Sequence, residues 1–544
     1  MKKITYILST LVLGLALTSC GDSFLNKYPE GGTMLEEQFE KLPLEEKLKG
    51  SLYGLYSRLY AYGGSHSAFG ERSIDMYEDI QSGDMAMKRA GYGWFRDYED
   101  GLFRQNAGGY LWSYYYEIIN LANRALIIAE PEVQKIMDAV AEGTKPESKI
   151  AAEGYYYAQL LAMRGWAYDN LLTYFCNPMD NLTTTMDAEV AVPIYTETEV
   201  KAGSLGEKLS TVEQVYDRIY EDLSNAIALM DFYEQYIQRT SKLEVNSDVA
   251  RIFLAYSMLK HGNNSIIIAG GKNANDIALE QAKAVIDGKN FDRLKKSELT
   301  TTGFFDVNAS NWMWGQDVTV ETTTGLASFF GQVDIHSYSY AAAGDTKEID
   351  SKLYDEIDDK EWDARVNWFR APSMPYSYCP DGKFYCPKTK NVIDLKEVDR
   401  NWLGDNVFMR IEVAYLIAAE AAWADNDPST DPVVYLKELC DERVIEGKEA
   451  EYNTWIGSLS GSDAIKQAIV YNWRVEMWGE GYGMQTLRRL SKSVTLGDNH
   501  LSRSSKEITI AKDYLQFQCE IPSSETTYNP ELVKTLSELT KANN

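Results

Sequence analysis

The strongest constraint on the fold is a helical spacing of apolar residues that recurs along most of the chain. In residues 111–129 the apolar positions are separated alternately by four and by three residues. Similar helical patterns occur in residues 152–174, 212–230, 407–425 and 463–478. Such spacing places the apolar side chains on one face of an α-helix. Helices of this kind must bury these faces against one another, so the sequence predicts a mainly α-helical fold.

Small residues recur on the same faces and indicate how the helices pack. Alanine occupies positions 158, 162 and 167, and again positions 278 and 282. Small side chains let helix pairs approach closely, which is typical of tetratricopeptide-like stacking, although the full repeat consensus does not occur. Pro131 is expected to end the first of these helices. The sequence therefore predicts a tetratricopeptide-like helical scaffold.

Two long stretches, residues 69–104 and roughly 300–405, interrupt the helical pattern. Both are rich in aromatic residues and contain many glycines and polar residues. A loop of this length inside a compact domain is usually either functional or disordered, and its aromatic content argues against disorder. We therefore expect a loop-rich face mounted on the helices.

The start of the chain predicts export and lipid anchoring. Lys2 and Lys3 precede an uncharged apolar run, which ends in Leu17-Thr18-Ser19-Cys20. This pattern is typical of a secretory signal peptide. Its last four residues resemble the bacterial lipobox, in which the cysteine is acylated, and the alternative is an ordinary signal peptide with a cysteine near its cleavage site. The expected organisation is a signal peptide (1–19), a lipidated tether (20–45), an N-terminal helical part (46–300) and a C-terminal part with the ligand face and closing helices (301–544).

The net charge of −27 narrows the range of partners. An acidic chain lacks the basic footprint that nucleic-acid binding needs. It would also be repelled by anionic lipid headgroups, so the expected membrane attachment runs through the lipid on Cys20.

The spacing of the cysteines allows one disulfide but does not require it. Of the cysteines after Cys20, only Cys379 and Cys386 are close in sequence, and the turn-forming pair Asp381-Gly382 lies between them. The two thiols could form a disulfide or remain free. Their spacing and the lack of a nearby histidine argue against zinc.

Aromatic residues in the loops are the candidates for ligand contact. A pyranose has an apolar C–H face and equatorial hydroxyls, so it favours a flat ring with short polar groups at its edge. Three groups fit this description: Trp94 and Tyr98 with Arg96; Trp312 and Trp314 with Asn308 and Asn311; and Tyr338 and Tyr340 with His336. In the second group, strand alternation places both tryptophans on one face, so both rings could equally belong to the core.

Neither metal binding nor catalysis has a strong sequence signal. The acidic residues Asp79, Asp84 and Asp97 could bind calcium, but a solvated acidic face is favoured and no cofactor is predicted. The sequence contains no His-Glu-x-x-His, Gly-x-Ser-x-Gly or phosphate-loop motif. A glycoside hydrolase with two dispersed carboxylates remains the enzymatic alternative to a non-catalytic binding protein.

Five segments in a fixed order resemble motifs of the SusD/RagB family of surface lipoproteins. They are residues 152–178, Asp363-Ala364-Arg365, residues 410–421, residues 472–489 and residues 521–530. The third segment, from Arg410 to Ala421, is similar to the family pattern R-x-A-E-v-Y-L-x-x-A-E-A. One departure is that Gly483 and Thr486 replace the arginine and aspartate that usually follow the Glu-Gly pair, which puts local packing in doubt.

This resemblance implies a fold, a partner and a ligand class. The fold would consist of four tetratricopeptide-like units with a loop-rich ligand face. The partner would be a SusC-like TonB-dependent transporter in the outer membrane, over which the lipoprotein acts as a hinged lid facing the cell surface. The ligand would be a glycan or, as in RagB-like members, a peptide, and the abundance of Trp and Tyr favours a glycan.

Overall fold

A computed structural model describes residues 36–176, 191–261, 267–268, 272–301, 303–384, 402–426, 429–509 and 514–533. The predicted signal peptide, Cys20 and the tether up to residue 35 lie outside these ranges.

Nineteen α-helices occur in the described residues and are numbered here in chain order. They are α1 Glu36–Glu40, α2 Leu44–Ser57, α3 Glu71–Ser82, α4 Arg96–Glu99, α5 Phe103–Asn106, α6 Gly108–Glu142, α7 Ser148–Phe175, α8 Glu197–Ala202, α9 Val212–Tyr233, α10 Ser247–His261, α11 Ala274–Gly288, α12 Phe329–Val333, α13 Ser351–Asp358, α14 Glu412–Asp425, α15 Pro432–Cys440, α16 Glu449–Gly457, α17 Ser462–Glu476, α18 Gly483–Arg489 and α19 Ser523–Tyr528. In this part of the chain, no helix has the length and apolar character needed to cross a bilayer.

The strands within the same ranges are short and pair only two by two. They are β1 Met85–Ala86, β2 Ile267–Ile268, β3 Lys272–Asn273, β4 Trp312–Gln316, β5 Glu348–Ile349, β6 Asn406–Arg410, β7 Val494–Thr495 and β8 Glu507–Ile508. The antiparallel pairs are β1 with β5, β2 with β3, β4 with β6 and β7 with β8. Two of them, β1 with β5 and β4 with β6, join segments that are far apart in the chain.

The long helices pack against one another in pairs. Helix α7 packs against both α6 and α9, and α10 packs against α11, which in turn contacts α14. The turn after α6 is possible because Gly143 adopts φ 63°, a left-handed conformation that glycine reaches without strain. The prediction of a mainly α, tetratricopeptide-like scaffold is therefore confirmed.

The expected end of α6 at Pro131 is wrong, because the helix continues through Pro131 to Glu142. A proline inside a helix removes one backbone hydrogen bond. The extension nevertheless has tertiary support, since Ile136 is fully buried and its carbonyl accepts a hydrogen bond of 2.7 Å from the Tyr233 hydroxyl. Tertiary packing thus outweighs the tendency of proline to end a helix.

The family-like motifs meet in one buried network of ion pairs. The carboxylate of Glu476 is bound by three guanidinium groups, those of Arg365, Arg410 and Arg443, at 3.3, 3.2 and 2.8 Å. Burial alone would raise the pKa of Glu476, but these arginines lower it well below its ordinary value. The network joins the C-terminal end of α17 to segments that are distant in sequence, so these motif residues hold the fold together.

The acidic residues Asp79 and Asp84 do not form the solvated face that the sequence favoured, because both are buried. The Asp79 carboxylate accepts backbone N–H bonds from Gly479 and Gly483, at 2.5 and 3.3 Å, while Asp84 pairs with Arg474. A Cβ at position 483 would lie 2.4 Å from the Asp84 Oδ2. Glycine at this position therefore allows the close approach, and the missing arginine leaves local packing intact.

Candidate functional site

Five aromatic side chains from three separate loops meet at the surface, and we call them the aromatic cluster. They are Tyr62, His66, Tyr92, Trp94 and Tyr340. The His66 and Trp94 rings are stacked, with centroids 5.1 Å apart and an interplanar angle of 16°. Tyr340 meets both rings edge-on, at centroid distances of 5.7 Å from His66 and 6.4 Å from Trp94.

The first loop presents Tyr62 and His66 on a tight glycine turn. The Gly63 N–H donates to the Ala68 carbonyl at 2.7 Å, which closes the loop around His66. The loop then continues to Gly70, which adopts a φ of 81°. A Cβ at this position would lie 2.1 Å from the Leu59 carbonyl oxygen. Only glycine permits this close approach at residue 70.

The second loop turns sharply on either side of Trp94. Gly93 and Phe95 both have positive φ angles, of 80° and 66°. The Phe95 ring is buried against Tyr77, with centroids 5.7 Å apart. Burial of Phe95 fixes the base of the loop and leaves Trp94 half-buried at the surface.

The third loop is joined to the other two by polar contacts. The Tyr340 hydroxyl lies 2.8 Å from the His66 Nδ1. The Asp345 carboxylate accepts the N–H groups of Gly91 and Tyr92, at 2.5 and 2.9 Å. These bonds set the three loops in one arrangement before any ligand arrives, which limits the entropy lost on binding.

A buried lysine supports the same arrangement from below. The Lys347 ammonium donates to the Gln332 side-chain oxygen at 3.0 Å, and the Gln332 amide donates to the His66 carbonyl at 2.8 Å. Burial lowers the pKa of Lys347 to about 8. The imidazole of His66 thus sits on a backbone that the core holds in place.

Exposure indicates which rings a ligand can reach. Tyr62, Tyr92 and Tyr338 are 53 %, 59 % and 42 % exposed, whereas Tyr340 is 8 % exposed. The half-buried face of Trp94 and the exposed tyrosines give a flat apolar surface with hydroxyl and imidazole groups at its edges. Such a surface can stack on the C–H face of a sugar ring and bind its hydroxyls.

The structure corrects the second predicted group, because three of its four residues lie in the core. Trp312 and Trp314 are 0 % and 2 % exposed, and Asn311 is also buried. The Trp314 ring packs against Trp166 and Phe253 at centroid distances of 5.6 and 5.3 Å. Both tryptophans lie in β4, whose burial on every residue excludes them from the surface.

The indole groups of both tryptophans are also used inside the protein. The Trp312 Nε1 donates to the Gly303 carbonyl and the Trp314 Nε1 to the Leu243 carbonyl, at 2.7 and 2.9 Å. Asn308, by contrast, is exposed, but its side-chain amide donates to its neighbour Asp306 at 3.1 Å. None of the four residues of this group reaches the aromatic cluster.

The structure separates the residues of the first predicted group, which are Trp94, Tyr98 and Arg96. Trp94 belongs to the aromatic cluster, but Tyr98 is 8 % exposed and packs on Tyr77 with centroids 4.3 Å apart. Tyr98 is therefore a core residue, and burial raises its pKa. Arg96 is exposed and pairs with Asp100 one helical turn later, at 3.3 Å.

The third predicted group is divided as well. Tyr340 is in the aromatic cluster, and Tyr338 is exposed beside it, where its carbonyl accepts a hydrogen bond of 3.1 Å from the Trp402 indole. The His336 ring instead contacts the Asp381 carboxylate, which Arg370 also binds at 3.0 Å. The hydrogen bond from His336 is the largest cause of the lowered pKa of Asp381.

Cys379 is a buried free thiol, and its predicted partner Cys386 lies outside the described residues. Cys379 thus forms no disulfide with any residue that the structure describes. Within the described ranges, no group of three or more His, Cys, Asp or Glu side chains is arranged to hold a metal ion.

Sequence reasoning missed Tyr62, His66 and Tyr92. The sequence does carry a signal for them, because each stands within three residues of a glycine turn, in Tyr62-Gly-Gly-Ser-His66 and in Gly91-Tyr-Gly-Trp94. Aromatic residues beside glycine in a long loop have few core positions to occupy. The convergence of the two loops, however, depends on tertiary contacts that no local pattern records.

Comparison with known protein families finds a match over the N-terminal part of the chain. Residues 24–254 match the SusD-like_3 family, described as starch-binding and associating with the outer membrane. No match was found among the curated proteins. This match supports the resemblance to the SusD/RagB family that the sequence motifs predicted.

Solved structures extend the likeness of fold across the chain. A SusD-like carbohydrate binding protein from Bacteroides vulgatus ATCC 8482 is 19 % identical, with a TM-score of 0.68 over 90 % of this chain and 98 % of that one. A SusD superfamily protein from Bacteroides thetaiotaomicron VPI-5482 is also 19 % identical, with a TM-score of 0.67 over 90 % and 99 %. The chain therefore has the SusD fold over both its N-terminal and C-terminal parts.

Proposed function

We propose that this chain is a non-catalytic surface lipoprotein that captures a glycan at the aromatic cluster. The observation that carries the proposal is the stacked pair of His66 and Trp94 beside exposed Tyr92 and Tyr62. The description of the matching family as starch-binding supports a carbohydrate ligand, and so does the similarity in fold to the carbohydrate binding protein from B. vulgatus. Tyr338 and Tyr340 complete the proposed binding surface.

The second part of the proposal is that the anchored protein delivers the captured glycan to a transporter. An acyl group on Cys20 would anchor the protein to the outer membrane, and residues 20–45 would serve as a tether. The division of the body into residues 46–300 and 301–544 is part of this proposal. Four residues of the aromatic cluster lie in the first part, and Tyr340 joins them from the second part, to which the sequence had assigned the ligand face. A SusC-like TonB-dependent transporter is the partner, and the protein would act as its lid.

Calorimetric titration of the purified chain against a panel of polysaccharides and peptides tests the capture step. We expect heat of binding with at least one glycan and none with the peptides. Binding of peptides alone would replace the glycan proposal with a peptide-binding function. Turnover of the bound glycan by pure protein, abolished by mutation of a single carboxylate, would overturn the non-catalytic assignment.

The delivery step has a separate test in cells. Cys20→Ala should release the protein from the membrane and abolish uptake of the ligand, while the purified variant still binds it. Uptake that persists with unacylated protein would contradict the tethered lid. The matched control is Ser19→Ala, which keeps the cysteine and a small residue before it.

A further inference from the structure

A second pocket, with a volume of about 310 Å³, lies on helix α6 and shares no residue with the aromatic cluster. Its walls come from α6, from the segment around α8 and from α19 near the C-terminus. Pockets that hold small ligands begin at about this volume and combine aromatic walls with a few polar groups. The lining has this composition, and its functional residues are Trp112, Tyr116, Asn120, Tyr195, Glu199 and Glu525.

The aromatic wall of this pocket is formed by Trp112, Tyr116 and Tyr195, whose rings pack against one another. Tyr116 lies between Trp112 and Tyr195, with centroid distances of 4.7 and 5.8 Å, and its ring is nearly perpendicular to that of Tyr195. The Tyr116 hydroxyl donates to the Pro193 carbonyl at 2.7 Å. The Tyr195 hydroxyl accepts the Glu207 N–H at 3.1 Å. Both rings are thus held in place by hydrogen bonds to the backbone.

The only charged side chains among the lining residues are two carboxylates, those of Glu199 and Glu525. Burial opposes ionisation of Glu199, but hydrogen bonds from Thr196 outweigh it and lower the pKa, so this group is charged at neutral pH. The Glu525 side chain has no ion pair or hydrogen bond among the described residues. Glu525 lines the same pocket as Tyr116 and Tyr195, so its carboxylate lies on the wall that these rings form.

We propose that this pocket binds a small ligand that carries an ammonium group, of the amino-sugar class. Aromatic faces attract cations within about 6 Å of the ring centroid. An anionic ligand would be repelled by Glu199 and Glu525, since the lining supplies no cationic side chain to compensate. The ammonium group pairs with Glu525, and the sugar ring lies against Tyr116 with its hydroxyls toward Asn120. This site is independent of glycan capture at the aromatic cluster.

Three probes of matched shape test the charge requirement. The full chain in detergent would be titrated by calorimetry with glucosamine, N-acetylglucosamine and glucose, at a mildly acidic pH that protonates the amine. We expect glucosamine to bind at least about fivefold more tightly than the other two, because a single partly exposed charge pair contributes about 1 kcal/mol. Its affinity should fall as the salt concentration rises.

Two variants locate the binding. Glu525→Gln should reduce the affinity for glucosamine to that for glucose, and its thermal midpoint should stay unchanged because the side chain has no partner to lose. Trp94→Ala should leave glucosamine binding unaltered, which separates this site from the proposed glycan site. Equal binding of N-acetylglucosamine, full binding by Glu525→Gln, or no binding of glucosamine would each overturn the proposal.

Discussion

The imidazole of His66 lies parallel to the indole of Trp94, with an interplanar angle of 16°. The two residues belong to different loops, 28 positions apart in the sequence. The Tyr340 hydroxyl holds the imidazole through Nδ1 at 2.8 Å, and the core holds its backbone through Gln332. His66 therefore supports the indole from one side and fixes its tilt.

Removing this support should weaken ligand binding without unfolding the protein. His66→Ala is expected to lower the affinity for the captured glycan about fivefold, because an aromatic pair contributes about 1 kcal/mol. His66→Phe keeps the stacking ring and should retain most of the affinity. Calorimetry on both variants measures the effect, and equal losses would show that the hydrogen bond, not the stacking, matters.

Trp314 should behave as a core residue. Trp314→Ala is expected to lower the free energy of unfolding by about 3–5 kcal/mol, because the indole is 2 % exposed and its removal leaves a cavity. Chemical denaturation measures this loss. A stable variant with impaired ligand binding would contradict the placement of this ring in the core.

The Glu476 network should be essential for stability. Glu476→Gln would leave Arg365, Arg410 and Arg443 without their shared counter-ion, and we expect a loss of about 3–5 kcal/mol in the free energy of unfolding. Lys437→Met provides the control, since the pair of Lys437 and Asp441 is exposed and should contribute at most about 1 kcal/mol. Similar losses in the two variants would refute the special role of the buried network.

Glu78 should make stability depend on pH. Burial raises its pKa from 4.5 to about 8, and the hydrogen bond from Tyr174 offsets this only in part. A raised folded-state pKa means that the folded protein binds the proton more tightly, so this contribution is full below about pH 4.5 and is lost as pH rises toward about 8. Glu78→Gln should therefore reduce the change in the thermal midpoint between pH 5 and pH 8. An unchanged slope would contradict the buried, protonated state.

The fold was largely predictable from the sequence, because both signals for it can be read locally. These signals are the helical spacing of apolar residues and the five family-like motifs in their fixed order. The continuation of α6 through Pro131 was not predictable, since it depends on the contact between Tyr233 and Ile136. The site was predictable only in part. Trp94 and Trp314 both stand in non-helical, aromatic-rich sequence, and only tertiary packing places one at the surface and the other in the core.

The most direct test of the central claim is a calorimetric titration of Trp94→Ala with the glycan that the native chain binds. We expect the affinity to fall at least about tenfold, which corresponds to about 1.4 kcal/mol, while the thermal midpoint stays within a degree or two of the native value. Unchanged affinity would contradict glycan capture at the aromatic cluster. A strongly lowered thermal midpoint would contradict the assignment of Trp94 as a surface ring.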